Sequence, residues 1–107
     1  MTGNAVIIET ASHAGLYCIG VDTDQWETVP EAHPCLISSA MKLYGPSLYD
    51  LIQTYWQKNP PMGEYYGSVG LAPFHGFESV IPQSVKDRLT EIATALKNRS
   101  LSTGHTP

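Results

Sequence analysis

The sequence predicts an α/β domain: a small parallel or mixed sheet flanked by three helices. Two apolar runs of strand length, residues 16–21 and 35–41, carry the sheet. Three further segments place apolar residues at helical spacing, and the glycine and proline punctuation between them makes helix and strand alternate, as they do when helices cover a largely parallel sheet.

The first helix is expected from Thr2 or Asn4, either of which can cap it, to Ala14. Val6, Ile7, Ala11 and Ala14 keep its spacing and Gly15 ends it. Residues 16–21 follow as an apolar run broken only by Gly20, which reads as a buried parallel strand. Asp22 therefore sits at that strand's carboxyl end, where open α/β sheets form their ligand crevice. Residues 23–34 read as an irregular polar loop, because Pro30 and Pro34 argue against regular structure. The second strand then covers 35–41 and is followed at once by Lys42.

Gly45-Pro46-Ser47 opens a second helix that runs to about Lys58, with Leu48, Leu51, Ile52 and Tyr55 on the face that covers the sheet. Asn59-Pro60-Pro61-Met62-Gly63 ends it. Residues 64–74 suit one or two short strands, with close backbone approaches at Gly67 and Gly70. Ile81-Pro82 starts the last helix, whose Val85, Leu89, Ile92 and Leu96 form a core stripe. Residues 98–107 read as a polar, frayed tail.

Composition narrows the function. The 107 residues suffice for one domain, and a net charge of -4 without a basic stripe makes nucleic acid and anionic membrane poor partners. No apolar stretch has the length of a membrane span, and no secretion signal opens the chain. The abrupt entry at Thr2-Gly3-Asn4 suggests a piece of something longer. Cys18 and Cys35 both fall in apolar runs and read as buried free thiols rather than a disulfide. His13, His33, His75 and His105 lack ligand spacing, so no metal or other cofactor is expected. His75 is the histidine expected nearest the crevice. There is no phosphate loop, His-Glu-x-x-His, Cys-x-x-Cys or nucleophile elbow, and no general base can be paired with a nucleophile, so the chain does not read as an enzyme.

Five segments occur in the order of a known family: Thr2-Gly3-Asn4; Tyr17-Cys18-Ile19-Gly20-Val21-Asp22-Thr23-Asp24-Gln25; Ser38-Ser39-Ala40-Met41-Lys42; Gly70-Leu71-Ala72-Pro73-Phe74; and Ile81-Pro82. Over nearly its whole length to about Leu96 the chain resembles the carboxyl-terminal part of the basic membrane protein family, ABC-transporter substrate-binding lipoproteins that include purine-nucleoside receptors. The resemblance implies a partial type I periplasmic-binding-protein fold over residues 1–97, with the tail at 98–107. It implies non-catalytic nucleoside binding, with Asp22 accepting hydrogen bonds from the ribose hydroxyls, Lys42 donating from the neighbouring strand end, and Gly3 letting the backbone approach the ligand. It also implies an extracytoplasmic, membrane-anchored lipoprotein that delivers ligand to an ABC permease. The sequence departs from the family pattern at Leu43-Tyr44-Gly45-Pro46, which interposes a break after Lys42, and between Gly63 and Gly70, which is short.

The chemistry suits that assignment. A carboxylate offers two acceptor oxygens to a vicinal diol, and an ammonium beside it keeps it ionised and supplies donors. Asp24 and Gln25 are read as ordering the loop, Trp26 as packing or a pocket cover, and Tyr65 and Tyr66 as packing before stacking. A part of a two-lobed protein would leave apolar sheet surface uncovered, so a homo-oligomer or association with the missing lobe is expected. The alternative class is a cytoplasmic ligand-sensing or interaction domain of a regulatory protein built on the same fold.

Overall fold

The computed structural model describes residues 3–57, 63 and 65–104. The fold is α/β, with four helices and one mixed three-stranded sheet in the order β1-β2-β3. Two compact units divide the chain, Met1–Gly76 and Phe77–Pro107.

In the first unit, α1 spans Gly3–Ala11 and stops three residues short of the expected Ala14. Side chains just past its last turn take over a backbone acceptor. Ser12 Oγ and His13 Nδ1 both donate to the Glu9 carbonyl, at 2.6 and 2.9 Å. Such local side-chain bonds compete with the helix ladder and end it. Gly15 then turns the chain with φ of 82°.

Strand β1 (Cys18–Asp22) pairs in parallel with β2 (Leu36–Lys42), placing Gly20 opposite Ser39 and Asp22 opposite Met41. The expected loop between them contains regular structure. Asp24 Oδ1 accepts from the Trp26 N–H at 3.1 Å and caps α2, Gln25–Thr28. Pro30 opens a 3-10 turn at Pro30–Ala32. Proline needs no N–H at the first position of a turn of helix, so it starts structure here rather than forbidding it.

The two cysteines form a disulfide, Cys18–Cys35, with Cα atoms 5.3 Å apart, which corrects the free-thiol reading. Apolar surroundings suit a thiol and a disulfide equally. What decides is the adjacency of the two strand starts, fixed by the Cys18 N–H donating to the Cys35 carbonyl at 2.8 Å. The core gathers here, with Ile7, Val29, Ala32, Cys35 and Leu36 buried and Ala11, Cys18 and Trp26 packed against them.

Helix α3 covers Tyr44–Trp56 and starts directly after the second strand. The break expected at Gly45-Pro46 is absent, because Pro46 lies in the first turn, where its missing N–H costs nothing. Gly45 has no Cβ to clash with the proline ring behind it. Lys58 and the 59–62 terminator lie outside the described residues. A single strand, β3 (Val69–Leu71), pairs antiparallel with the end of β2, Lys42 opposite Val69 and Ala40 opposite Leu71. The close approach at Gly67 is present, since an added Cβ would lie 2.7 Å from Ser47 Oγ, whereas Gly70 makes only ordinary contact with Leu43.

Burial departs from expectation. One face of strand β1, expected to be buried, is exposed, with Ile19 and Val21 at 57% and 55%, and Val21, Ala40 and Leu71 form an exposed row across all three strands. On α3, Leu48, Ile52 and Tyr55 are exposed and no residue is buried. The stripe expected to cover the sheet is therefore turned to solvent among the described residues.

In the second unit, α4 spans Gln83–Lys97 with Pro82 at its cap. Val85 and Leu96 are exposed and Leu89 and Ile92 half-buried, so the expected core stripe is not a core here. Arg99 adopts φ of 61° while Leu101 N–H reaches back to the Ala95 carbonyl at 3.1 Å, a left-handed helix stop in the first residues of the expected tail. Residues 105–107, including His105, lie outside the described set.

Candidate functional site

Asp22 ends β1 and Lys42 ends β2, and the parallel register brings them side by side. Lys42 Nζ lies 2.6 Å from Asp22 Oδ1, with the side chains 58% and 51% exposed. The two residues singled out from the sequence as sugar contacts are therefore one constellation. The hydrogen bond that Lys42 donates to Asp22, and then the Asp22 charge, push the Lys42 pKa above its ordinary 10.5, with Tyr44 adding to the push. The pair is open to solvent. Surface pairs of this kind contribute little to stability.

Asp22 itself is held in the left-handed region at φ of 72°. The Thr23 N–H donates to the Val21 carbonyl at 3.0 Å, closing a three-residue turn around it. Such a conformation costs a residue with a Cβ on the order of 1 kcal/mol, and it persists only where the surroundings enforce it.

The surroundings that enforce it are polar and buried. Gln25 is buried, and its Oε1 accepts from the Val21 N–H at 2.9 Å while its Nε2 donates to Asn4 Oδ1 at 2.8 Å. Its backbone N–H donates to Ser39 Oγ at 3.0 Å. Each of these groups has a partner, so the network positions rather than destabilises. Gly20 makes room for it: an added Cβ would overlap Ser39 Oγ and sit 2.6 Å from Gln25 Oε1. The loop-ordering role read for Gln25 is what the geometry shows. Its partner Asn4 was not foreseen, because the bond spans 21 residues.

Gly3 opens α1 next to Asn4, and the Asn4 to Gln25 to Val21 relay ties that helix end to the sheet end carrying Asp22. A Cβ at Gly3 would meet nothing within 4 Å. The space in front of it is open.

Asp24 also orders the loop. Besides capping α2, its Oδ2 accepts from His75 Nε2 at 2.8 Å, placing His75 against the acid two residues along the chain from Asp22. Trp26 stacks with two imidazoles, His33 at 3.8 Å and His75 at 4.9 Å between ring centroids, both nearly parallel to it. His33 Nε2 donates to the Trp26 carbonyl at 2.8 Å. Trp26 thus takes the packing role of the two it was given. Ser38 and Ser39 are structural: Ser38 Oγ donates to the Ala72 carbonyl at 2.8 Å.

Beyond Lys42 the chain enters α3, whose first turns and Tyr65 wall an apolar groove of about 350 Å³ lined by Tyr44, Gly45, Ser47, Leu48, Leu51 and Tyr65. Ser47 anchors it, donating to the Leu43 carbonyl at 2.8 Å and accepting from the Ser68 N–H at 2.7 Å. Among the described residues no three His, Cys, Asp or Glu side chains gather as metal ligands, and no helix is long and apolar enough to cross a membrane.

No protein-family model, curated protein or solved structure matches this chain.

Proposed function

We propose that the chain binds a nucleoside without chemical turnover, as the carboxyl-terminal part of a basic-membrane-protein-type substrate-binding lipoprotein with a type I periplasmic-binding-protein fold, serving an ABC importer. The observation that carries the reading is the ion pair of Asp22 and Lys42 at the carboxyl ends of neighbouring parallel strands, half-exposed and rigidly backed. One carboxylate oxygen is held by Lys42 and both keep lone pairs for the two hydroxyl protons of a ribose diol. Lys42 has further N–H groups to donate to hydroxyl or ring oxygens. Gly3 adds an open backbone at the same end of the sheet. None of this requires a nucleophile or a proton shuttle.

The Cys18–Cys35 disulfide favours the exported form over a cytoplasmic sensor, since disulfides persist mainly in oxidising compartments. The uncovered sheet row supports association with a second lobe or a second copy.

A thermal-shift panel of inosine, guanosine, adenosine, free bases and ribose tests the proposal, repeated on Asp22→Ala. Stabilisation by nucleosides that vanishes in the variant is expected. Absence of a shift with every nucleoside, or a shift that Asp22→Ala leaves intact, refutes it.

A further inference from the structure

We infer that α3 is a self-association surface: its outward apolar face pairs antiparallel with the same face of a second copy of this chain, so that Tyr55 of each copy seats in the groove at the start of the other's α3. This surface is separate from the exposed sheet row and does not depend on nucleoside binding. Tyr44, Leu48, Ile52 and Tyr55 recur at i, i+4, i+8 and i+11, one continuous face of the helix, with Tyr49 and Trp56 along its flank. All of them are more than half exposed, Tyr55 at 70% and Trp56 at 83%. The side of α3 that turns inward is a different one, where Ser47, Leu51 and Thr54 are half-buried.

Charge, shape and area select a second copy as the occupant. Asp50 is the sole charged side chain from Tyr44 to Trp56 and lies off the apolar stripe, so the matching surface must be nearly uncharged, as α3 itself is. The groove of about 350 Å³ occupies the amino-terminal half of the helix, with Leu48 in its wall, and the exposed Tyr55 ring lies seven residues, or about 10 Å, further on. A two-fold axis between Leu51 and Ile52 sets Leu48 of one copy level with Tyr55 of the other, which satisfies both ends at once, as an isologous interface requires. The same axis brings Asp50 level with Gln53 rather than with a second acid. An aromatic side chain buries about 150–250 Å² when fully covered, so these six residues offer on the order of 600–800 Å² per copy, about what a standard interface takes from each partner.

Sedimentation equilibrium of the full chain over a dilution series, in a Val21→Lys background that disables the sheet row, reads this surface alone. Dimers are expected there, and adding Ile52→Arg, which sets two guanidinium groups across the axis, should weaken them on the order of thirtyfold or more. Val21 and Ile52 are both exposed, so the variants should keep the circular dichroism of wild type. Mild oxidation reads the register. Ile52→Cys should link to its own counterpart beside the axis, and a mixture of Leu48→Cys and Tyr55→Cys chains should link across it. Neither of those two should link alone, because like positions then lie about 10 Å apart along the helices, beyond disulfide reach. A Val21→Lys chain that stays monomeric throughout the series, an Ile52→Arg chain that associates as tightly as its parent, or Leu48→Cys linking alone as readily as the mixture overturns the inference. Nucleoside binding is measured separately, by the thermal-shift panel, and stands or falls without it.

Discussion

Reduction of the Cys18–Cys35 bridge should destabilise the unit that contains it by about 3 kcal/mol. The bridge closes a loop with a sequence separation of 17, and the chain-entropy relation gives roughly 10 cal/mol/K for a loop of that size, hence about 3 kcal/mol at room temperature. With an unfolding entropy near 2 cal/mol/K per residue, the loss corresponds to roughly 10–20 °C in melting temperature. The loop it closes holds α2 and Gln25, so the polar relay behind Asp22 should loosen with it. The assay is urea unfolding followed by circular dichroism with and without a phosphine reductant, with Cys18→Ser/Cys35→Ser as the chemical control. If thiol counting on the unfolded, unreduced protein finds two free thiols, or if reduction moves the midpoint by less than the equivalent of about 1 kcal/mol, the bridge does not hold this fold and the reasoning fails.

Four further outcomes are expected. Gly20→Ala should cost about 1–3 kcal/mol in the same unfolding assay, because its Cβ would push into Ser39 Oγ and Gln25 Oε1 in a buried network. Asp22→Gly should leave the melting temperature unchanged or raise it slightly, by relieving the left-handed backbone, while removing any nucleoside-induced shift. The Lys42 pKa is raised in the folded state, so the pair's stabilisation is fully present below the ordinary value of 10.5 and is lost as pH rises through the raised value. The melting offset between wild type and Lys42→Met should accordingly be flat at neutral pH and close only in strong alkali. With Val21, Ala40 and Leu71 uncovered, light scattering should give a mass above that of the monomer, reduced by Val21→Lys.

The sheet and its site were legible to different depths. The two apolar runs located β1 and β2 to within two residues, and the acid and the lysine after them were placed together because parallel strands end together. The α3 stripe of Leu48, Ile52 and Tyr55 was legible as a stripe, but periodicity cannot say what covers it, and among the described residues it stays exposed. Pro30 was misread because a proline marks a boundary without saying which side is ordered. The disulfide and the bond between Asn4 and Gln25 depend on distances through space between residues far apart in sequence, to which local pattern is blind.

Asp22 and Lys42 contribute little to the stability of the fold, which is what the proposed binding role requires. An exposed ion pair contributes little, and a left-handed aspartate costs on the order of 1 kcal/mol, so Asp22 and Lys42 together do almost nothing for the fold. Yet three hydrogen bonds made by the buried Gln25, and a glycine that leaves room for them, hold the turn behind Asp22 fixed. A flexible loop acid would have to be ordered on binding, at a cost of about 0.5–1.5 kcal/mol for its side chain alone. Here the folded chain has borne that cost in advance, and a ligand that exploits a fixed carboxylate gains the difference. Gln25→Ala separates the two accounts. It leaves the Asp22 carboxylate and Lys42 in place but frees the turn, so nucleoside affinity should fall several-fold even with the protein held well below its melting temperature; unchanged affinity would mean that the buried relay serves the fold alone.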